Sequence, residues 1–213
     1  MSALPLPPKE FSALDLRIEE ADPSALLRIA WTTTSTHFIF RRNARYRFDA
    51  PDRSFGVLYA AFDLPTAFVE TVLRELPQQT RATSRIPLAW NEIANRRVVP
   101  LRAGAKRRRL RLIALYGDGL VAARTDNRIA TLDDYAVTRE WAKACHKHPV
   151  RADGILYMSR FLGDRQSAVL FDRARAAVRP ARAVWLLKHP DFPAMLDEFK
   201  LAVERPLASR SIQ

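Results

Sequence analysis

Residues 45–75, RYRFDAPDRSFGVLYAAFDLPTAFVETVLRE, hold the side chains best suited to chemistry. Arg47 is a permanent cation with a planar fork of donors, Tyr59 an aromatic face with a hydroxyl, and Glu70 a carboxylate able to stabilise positive charge. Brought together, they could line a small pocket for an anion and a sugar. Arg28 is a fourth candidate. It interrupts the apolar run LLRIAW at 26–31, where an arginine is uncommon unless it meets an anion or snorkels to the surface.

The elements that must position these groups are legible locally. VLYAA at 57–61 is a compact apolar run bounded by Gly56 and Asp63, which predicts a strand. Asp63 as N-cap, Pro65 in the first turn and Phe68, Val69, Val72, Leu73 and Leu76 at helical spacing predict the helix that follows. Glu70 falls to one side of that apolar stripe and has Arg74 four residues on, the arrangement of an exposed ion pair. Tyr59 in a strand is equally consistent with a core residue. The residues alone leave both readings open.

Elsewhere the pattern predicts an extended proline-broken arm over 1–10, a short helix over 11–20, a buried strand over 26–31 and a loop over 32–45. Residues 78–95 read as mostly irregular. Strands are expected at 97–101, 110–115, 154–158, 167–171 and 183–187, and helices at 118–124, 133–148 and 191–203. The strand at 154–158 places Ile155, Tyr157 and Ser159 on one face, and 167–171 is its expected antiparallel neighbour. Short strands interspersed with helices indicate an α+β fold in one domain: an arm and short helix over 1–24, then the main body over 25–213, with a basic insertion around 102–111.

Several chemistries find no support. The six glycines form neither G-x-G-x-x-G nor a phosphate-binding loop, and there is no G-x-S-x-G elbow. His146 and His148 in CHKHP cannot both face one metal from a regular helix, so no metal is expected. The basic run RAGAKRRRLR at 102–111 lacks interleaved aromatics. It reads as a solvated connection or a surface for an acidic protein, and direct nucleic-acid binding has thin support.

The quoted blocks resemble the RES-domain family, named for an arginine, a glutamate and a serine. RFDAPDRSFGVLYAAFDLPTAFVET at 47–71 is similar to its core motif, and DGILYMSR at 153–160 with SAVLFD at 167–172 to its later, serine-bearing block. By position the resemblance assigns Arg28, Glu70 and Ser159 as the catalytic set, with Arg28, Arg47, Tyr59 and Ser159 binding substrate. It implies an ADP-ribosyltransferase-like mixed β core and NAD as substrate, cleaved at the nicotinamide–ribose bond with water or phosphate accepting the ADP-ribose. It further implies a toxin restrained by, and oligomeric with, an Xre-like antitoxin. Ser159 would orient ribose or carboxamide. Protein ADP-ribosyltransferases commonly carry a second acid two residues before the catalytic one, and here that position is Phe68. This favours hydrolysis or phosphorolysis over modification of a host metabolic enzyme. A non-catalytic basic nucleic-acid-binding or interaction module is the alternative of another class. The stretch between Glu70 and Ser159, with its basic run, is longer than in compact members.

Composition sets the outer bounds. The chain has 213 residues, 48% hydrophobic, one cysteine and a formal net charge of +12. That suits one folded domain without a disulfide framework, expected in the cytoplasm, with neither a signal-peptide pattern nor an apolar run long enough to span a membrane.

Overall fold

Apolar runs too short to be helices become the strands of a large curled sheet and of a separate pair, Ile86–Ala89 with Leu201–Glu204. A computed structural model describes residues 4–32, 38–74 and 85–204. The strands are β1 (Ile18–Ala21), β2 (Leu27–Trp31), β3 (Val57–Ala61), β4 (Ile86–Ala89), β5 (Arg96–Ala103), β6 (Leu110–Leu115), β7 (Gly154–Met158), β8 (Gln166–Phe171), β9 (Val178–Pro180), β10 (Val184–Trp185) and β11 (Leu201–Glu204). The helices are α1 (Leu64–Thr71), α2 (Trp90–Ala94), α3 (Asp118–Ala122), α4 (Arg128–Thr131), α5 (Tyr135–Lys147) and α6 (Phe192–Glu198). The main sheet runs β1-β6-β7-β8-β3-β2-β5-β10, with β9 also on β5; only β6 and β7 are parallel. The fold is mixed α+β, as the sequence predicts.

Apolar residues cover both faces of the sheet. On one, α5 and the N-terminal arm enclose Phe48, Phe55, Trp141, Ile155 and Phe171. On the other, Phe40, Leu58, Leu112, Leu156 and Leu170 pack together. A third cluster joins Leu64 and Phe68 of α1 to Ile93, Leu186 and Met195. The arm is tied down: Leu4 and Phe11 are buried, and Trp141 Nε1 donates to the Pro5 carbonyl at 2.9 Å. No helix among the described residues is long and apolar enough to cross a membrane.

Four expectations are corrected, each because a distant partner outweighs local pattern. Residues 11–20 are not a helix: a single 3₁₀ turn at Phe11–Ala13 is followed by β1, which pairs antiparallel with β6. Within 78–95, β4 forms by parallel pairing with β11, a strand more than a hundred residues away. The strand expected at 183–187 is only β10, followed by a 3₁₀ turn at Leu186–Lys188. The closing helix ends at Glu198; the chain turns at Lys200 (φ 52°) and returns as β11. Residues 75–84, including Leu76, lie outside the described residues.

Two sequence features acquire packing roles. His146 stacks on Phe55 at 4.0 Å between centroids, and burial, then Arg173, lowers its pKa to about 4. Val150 N–H donates to His148 Nδ1, and no group of three or more metal-ligand side chains occurs among the described residues. In the basic run, Arg108 grips the buried Asp153 carboxylate bidentately at 2.5 and 2.6 Å, and the same carboxylate accepts from Arg111 N. Part of that run therefore holds the β5–β6 connection in place.

Candidate active site

The sheet opens where β2 and β3 diverge. They pair only at Leu27↔Ala61, and at the other end of β3 the chain is closed by a bridge between Arg41 and Val57. Val57 exchanges both backbone hydrogen bonds with Arg41 on the side away from β8. By the alternation of an antiparallel ladder, the N–H and C=O of Tyr59 face the same gap. Leu26 O and Thr32 N bond towards β5, so the backbone of Ile29 also faces the gap. The result is a cleft of about 670 Å³ floored by both strands and walled by α1, the 41–47 loop and the start of α5.

Glu70 points into this cleft and is fixed by the end of β7. Its Oε1 accepts from Ser159 Oγ at 2.6 Å and from Arg160 N–H at 3.1 Å. Oε2 has no hydrogen-bond partner among the described residues and is the oxygen available to a ligand. The expected ion pair with Arg74 does not form. Arg74 instead donates to Tyr135 Oη at 2.8 Å and lies between the rings of Tyr46 and Tyr135, 4.4 and 5.3 Å from their centroids.

Ser159 departs from its expected role. It is buried at 2% exposure and does not line the cleft; its hydroxyl proton goes to Glu70, while Phe161 and Leu162 N–H approach its oxygen at 3.3 Å. It holds the Glu70 carboxylate from behind and does not reach the cleft. For a reaction in this cleft that uses Glu70, Ser159→Ala is accordingly expected to lower kcat about tenfold with KM nearly unchanged, measured by steady-state kinetics. A rise in KM at constant kcat would return Ser159 to substrate binding.

The two family arginines differ. Arg28 lines the cleft partly buried; among the described residues it has no acidic partner, and its Nε is buried without a hydrogen bond. Burial, then repulsion from Arg41, lowers its pKa to about 10. Two neighbouring cations without a carboxylate beside them among the described residues could accept an anion. Arg47 is more committed: Nη1 donates to the Leu132 carbonyl at 2.5 Å and the guanidinium lies 4.9 Å over the Tyr135 ring. Burial lowers its pKa, against the opposing pull of Tyr135, Tyr157 and Glu70.

Tyr59 is both structural and exposed to the cleft. Its hydroxyl donates to Asp49 Oδ1 at 3.1 Å and accepts from Phe48 N–H at 2.8 Å, so burial and Asp49 raise its pKa well above the ordinary phenol value. Asp49 Oδ2 also accepts from Arg45 and Tyr46 N–H. This pins the 45–49 loop on β3 and leaves the Tyr59 ring lining the cleft, 6.0 Å edge-on to Tyr46. Sequence reasoning missed Arg41, Tyr46 and Tyr135. Arg41 falls in the stretch expected to be loop and Tyr135 in the helix expected over 133–148, and no motif marks either. Seven arginines and three carboxylates line the cleft, whose character is cationic.

The sequence model of the RES domain matches residues 17–195, and the chain belongs to the RES domain family. A relative named "Probable toxin y4kH" from Sinorhizobium fredii (strain NBRC 101917 / NGR234) is 33% identical over 95 residues, 44% of this chain and 74% of that protein. The fold is similar to a chain in the crystal structure of the M. tuberculosis MbcT–MbcA toxin–antitoxin complex. That match has a TM-score of 0.60 at 14% identity and covers 91% of this chain and 98% of that one.

Proposed function

We propose that this protein is the toxin of a toxin–antitoxin pair and consumes NAD by cleaving its nicotinamide–ribose bond. The observation that carries the reading is Glu70: one carboxylate oxygen is held by Ser159 and Arg160, and the other is presented to a cationic cleft. Heterolysis of the C1′–N bond lets neutral nicotinamide leave with the electron pair and creates positive charge on the ribose, as in glycoside cleavage. Glu70 Oε2 stabilises that charge and accepts from a ribose hydroxyl. Arg28 and Arg41 take the pyrophosphate, and Arg47 adds a further cation beside the ribose. The Tyr59 ring gives nicotinamide a face, and the backbone groups of Ile29 and Tyr59 that face the gap suit its carboxamide. Water or phosphate then adds through oxygen at C1′ and gives up its proton to solvent.

A small acceptor is favoured because Phe68, two residues before Glu70, is wholly buried on the core side of α1 and no second acid stands there. An antitoxin protein partner is inferred from the relative named as a probable toxin and the neighbour solved in a toxin–antitoxin complex. The proposed setting is the cytoplasm. Purified protein incubated with NAD should release nicotinamide without any acceptor protein, yielding ADP-ribose in water or its 1″-phosphate when phosphate is present. Release only when a second protein becomes ADP-ribosylated would replace this reading with protein modification.

A further inference from the structure

A second basic feature lies away from the cleft, and the sequence run shows only half of it. Residues 102–111 and 173–182 (RARAAVRPAR) both lack aspartate and glutamate. The fold joins them: β5 pairs with β9 so that Arg102 stands opposite Arg179, and Gly104 and Lys106 N–H donate to the Ala177 and Ala176 carbonyls. Like charges directly opposite on neighbouring strands are unfavourable. No carboxylate relieves them: Arg102, Lys106, Arg107, Arg175 and Arg179 are all exposed, and none has an ion-pair partner among the described residues. Arg108 and Arg109 do not belong to this set, because Asp153 and Glu20 hold them.

From this juxtaposition we propose that the surface formed by Arg102, Lys106, Arg107, Arg175 and Arg179 binds the phosphate backbone of duplex nucleic acid without reading its sequence. The chemistry separates this partner from an acidic protein. A stable protein interface needs an apolar centre, yet neither segment contributes an exposed large hydrophobic residue. Neither segment contains an aromatic side chain on which unpaired bases could stack, which favours a duplex over a single strand. Long guanidinium and ammonium groups without base-reading neighbours give backbone contacts alone.

The test is fluorescence anisotropy of a labelled random-sequence duplex of about 20 base pairs titrated with the full chain between 50 and 200 mM salt. With five phosphate contacts, the logarithm of the binding constant should fall against that of salt with a slope of about −4 to −5, a loss of several hundredfold across that range. The combined variant Lys106→Ala, Arg107→Ala, Arg179→Ala should flatten the slope by about three units and leave nicotinamide release unchanged. Circular dichroism should match wild type, since all three side chains are exposed. Absence of duplex binding at 50 mM salt, an unaltered slope in the variant, or equal binding of polyglutamate would overturn the proposal. Duplex binding is read independently of NAD turnover, so failure of one leaves the other intact.

Discussion

Glu70→Gln is expected to lower nicotinamide release from NAD about 10²–10³-fold, the usual cost of removing one group that stabilises transition-state charge. The amide oxygen can keep the hydrogen bonds from Ser159 Oγ and Arg160 N–H, so the fold should survive with a melting temperature within a few degrees of wild type. KM should change little, because NAD itself carries positive charge on nicotinamide and not on the ribose carbon. The loss should therefore fall on kcat. Wild-type turnover by this variant would remove Glu70 from the chemistry. A large fall in melting temperature would instead show that the carboxylate holds the fold together.

Arg28→Met is expected to do two opposite things at once. The wild-type guanidinium is desolvated, close to Arg41 and without an acidic partner among the described residues, and its pKa falls to about 10. A cation whose folded pKa lies below its unfolded value destabilises the fold at every pH below that folded value. The cost is relieved only as pH rises above about 10, where the unfolded chain holds the extra proton. At neutral pH this amounts to at most about 3 kcal/mol, less what the partial exposure of Arg28 screens. An apolar side chain of similar length should therefore raise the melting temperature by several degrees, seen by differential scanning calorimetry. The same change should raise KM for NAD more than tenfold, because the pyrophosphate loses a cation that faces it without competition. A variant that is both less stable and unchanged in KM would show that Arg28 serves packing, not anion binding. Such a stability gain at the expense of function is the signature of a binding site held under electrostatic strain.

Local pattern revealed the parts of the molecule whose stabilisation is local. Asp63 accepts from Thr66 N–H and caps α1 as predicted, β7 and β8 pair over 154–171, and α5 begins after its Asp134 cap. What local pattern missed depends on partners remote in sequence. β1 exists because β6 lies beside it, and β4 because β11 does. At the site, Arg28, Glu70 and Ser159 were recognisable from the family resemblance, but their division of labour was not. The i+4 spacing of Glu70 and Arg74 suggested a surface ion pair, whereas Tyr46 and Tyr135 offer Arg74 two rings and a hydroxyl acceptor. Ser159 looked like a substrate ligand because nothing in the sequence showed that the end of β7 would place its hydroxyl against α1. Arg41 emerged only when the ladder gap between β2 and β3 brought it beside Arg28.

In the proposed reaction Glu70 and the guanidinium groups of Arg28 and Arg41 share a single dinucleotide across the gap in the sheet. The most direct measurement is a crystal structure of Glu70→Gln grown with NAD, which the slowed variant should retain intact. The ribose hydroxyls should lie within hydrogen-bond distance of the residue-70 side chain, the pyrophosphate against Arg28 and Arg41, and nicotinamide on the Tyr59 ring. NAD bound elsewhere, or lying in the cleft with its pyrophosphate turned away from Arg28 and Arg41, would contradict it.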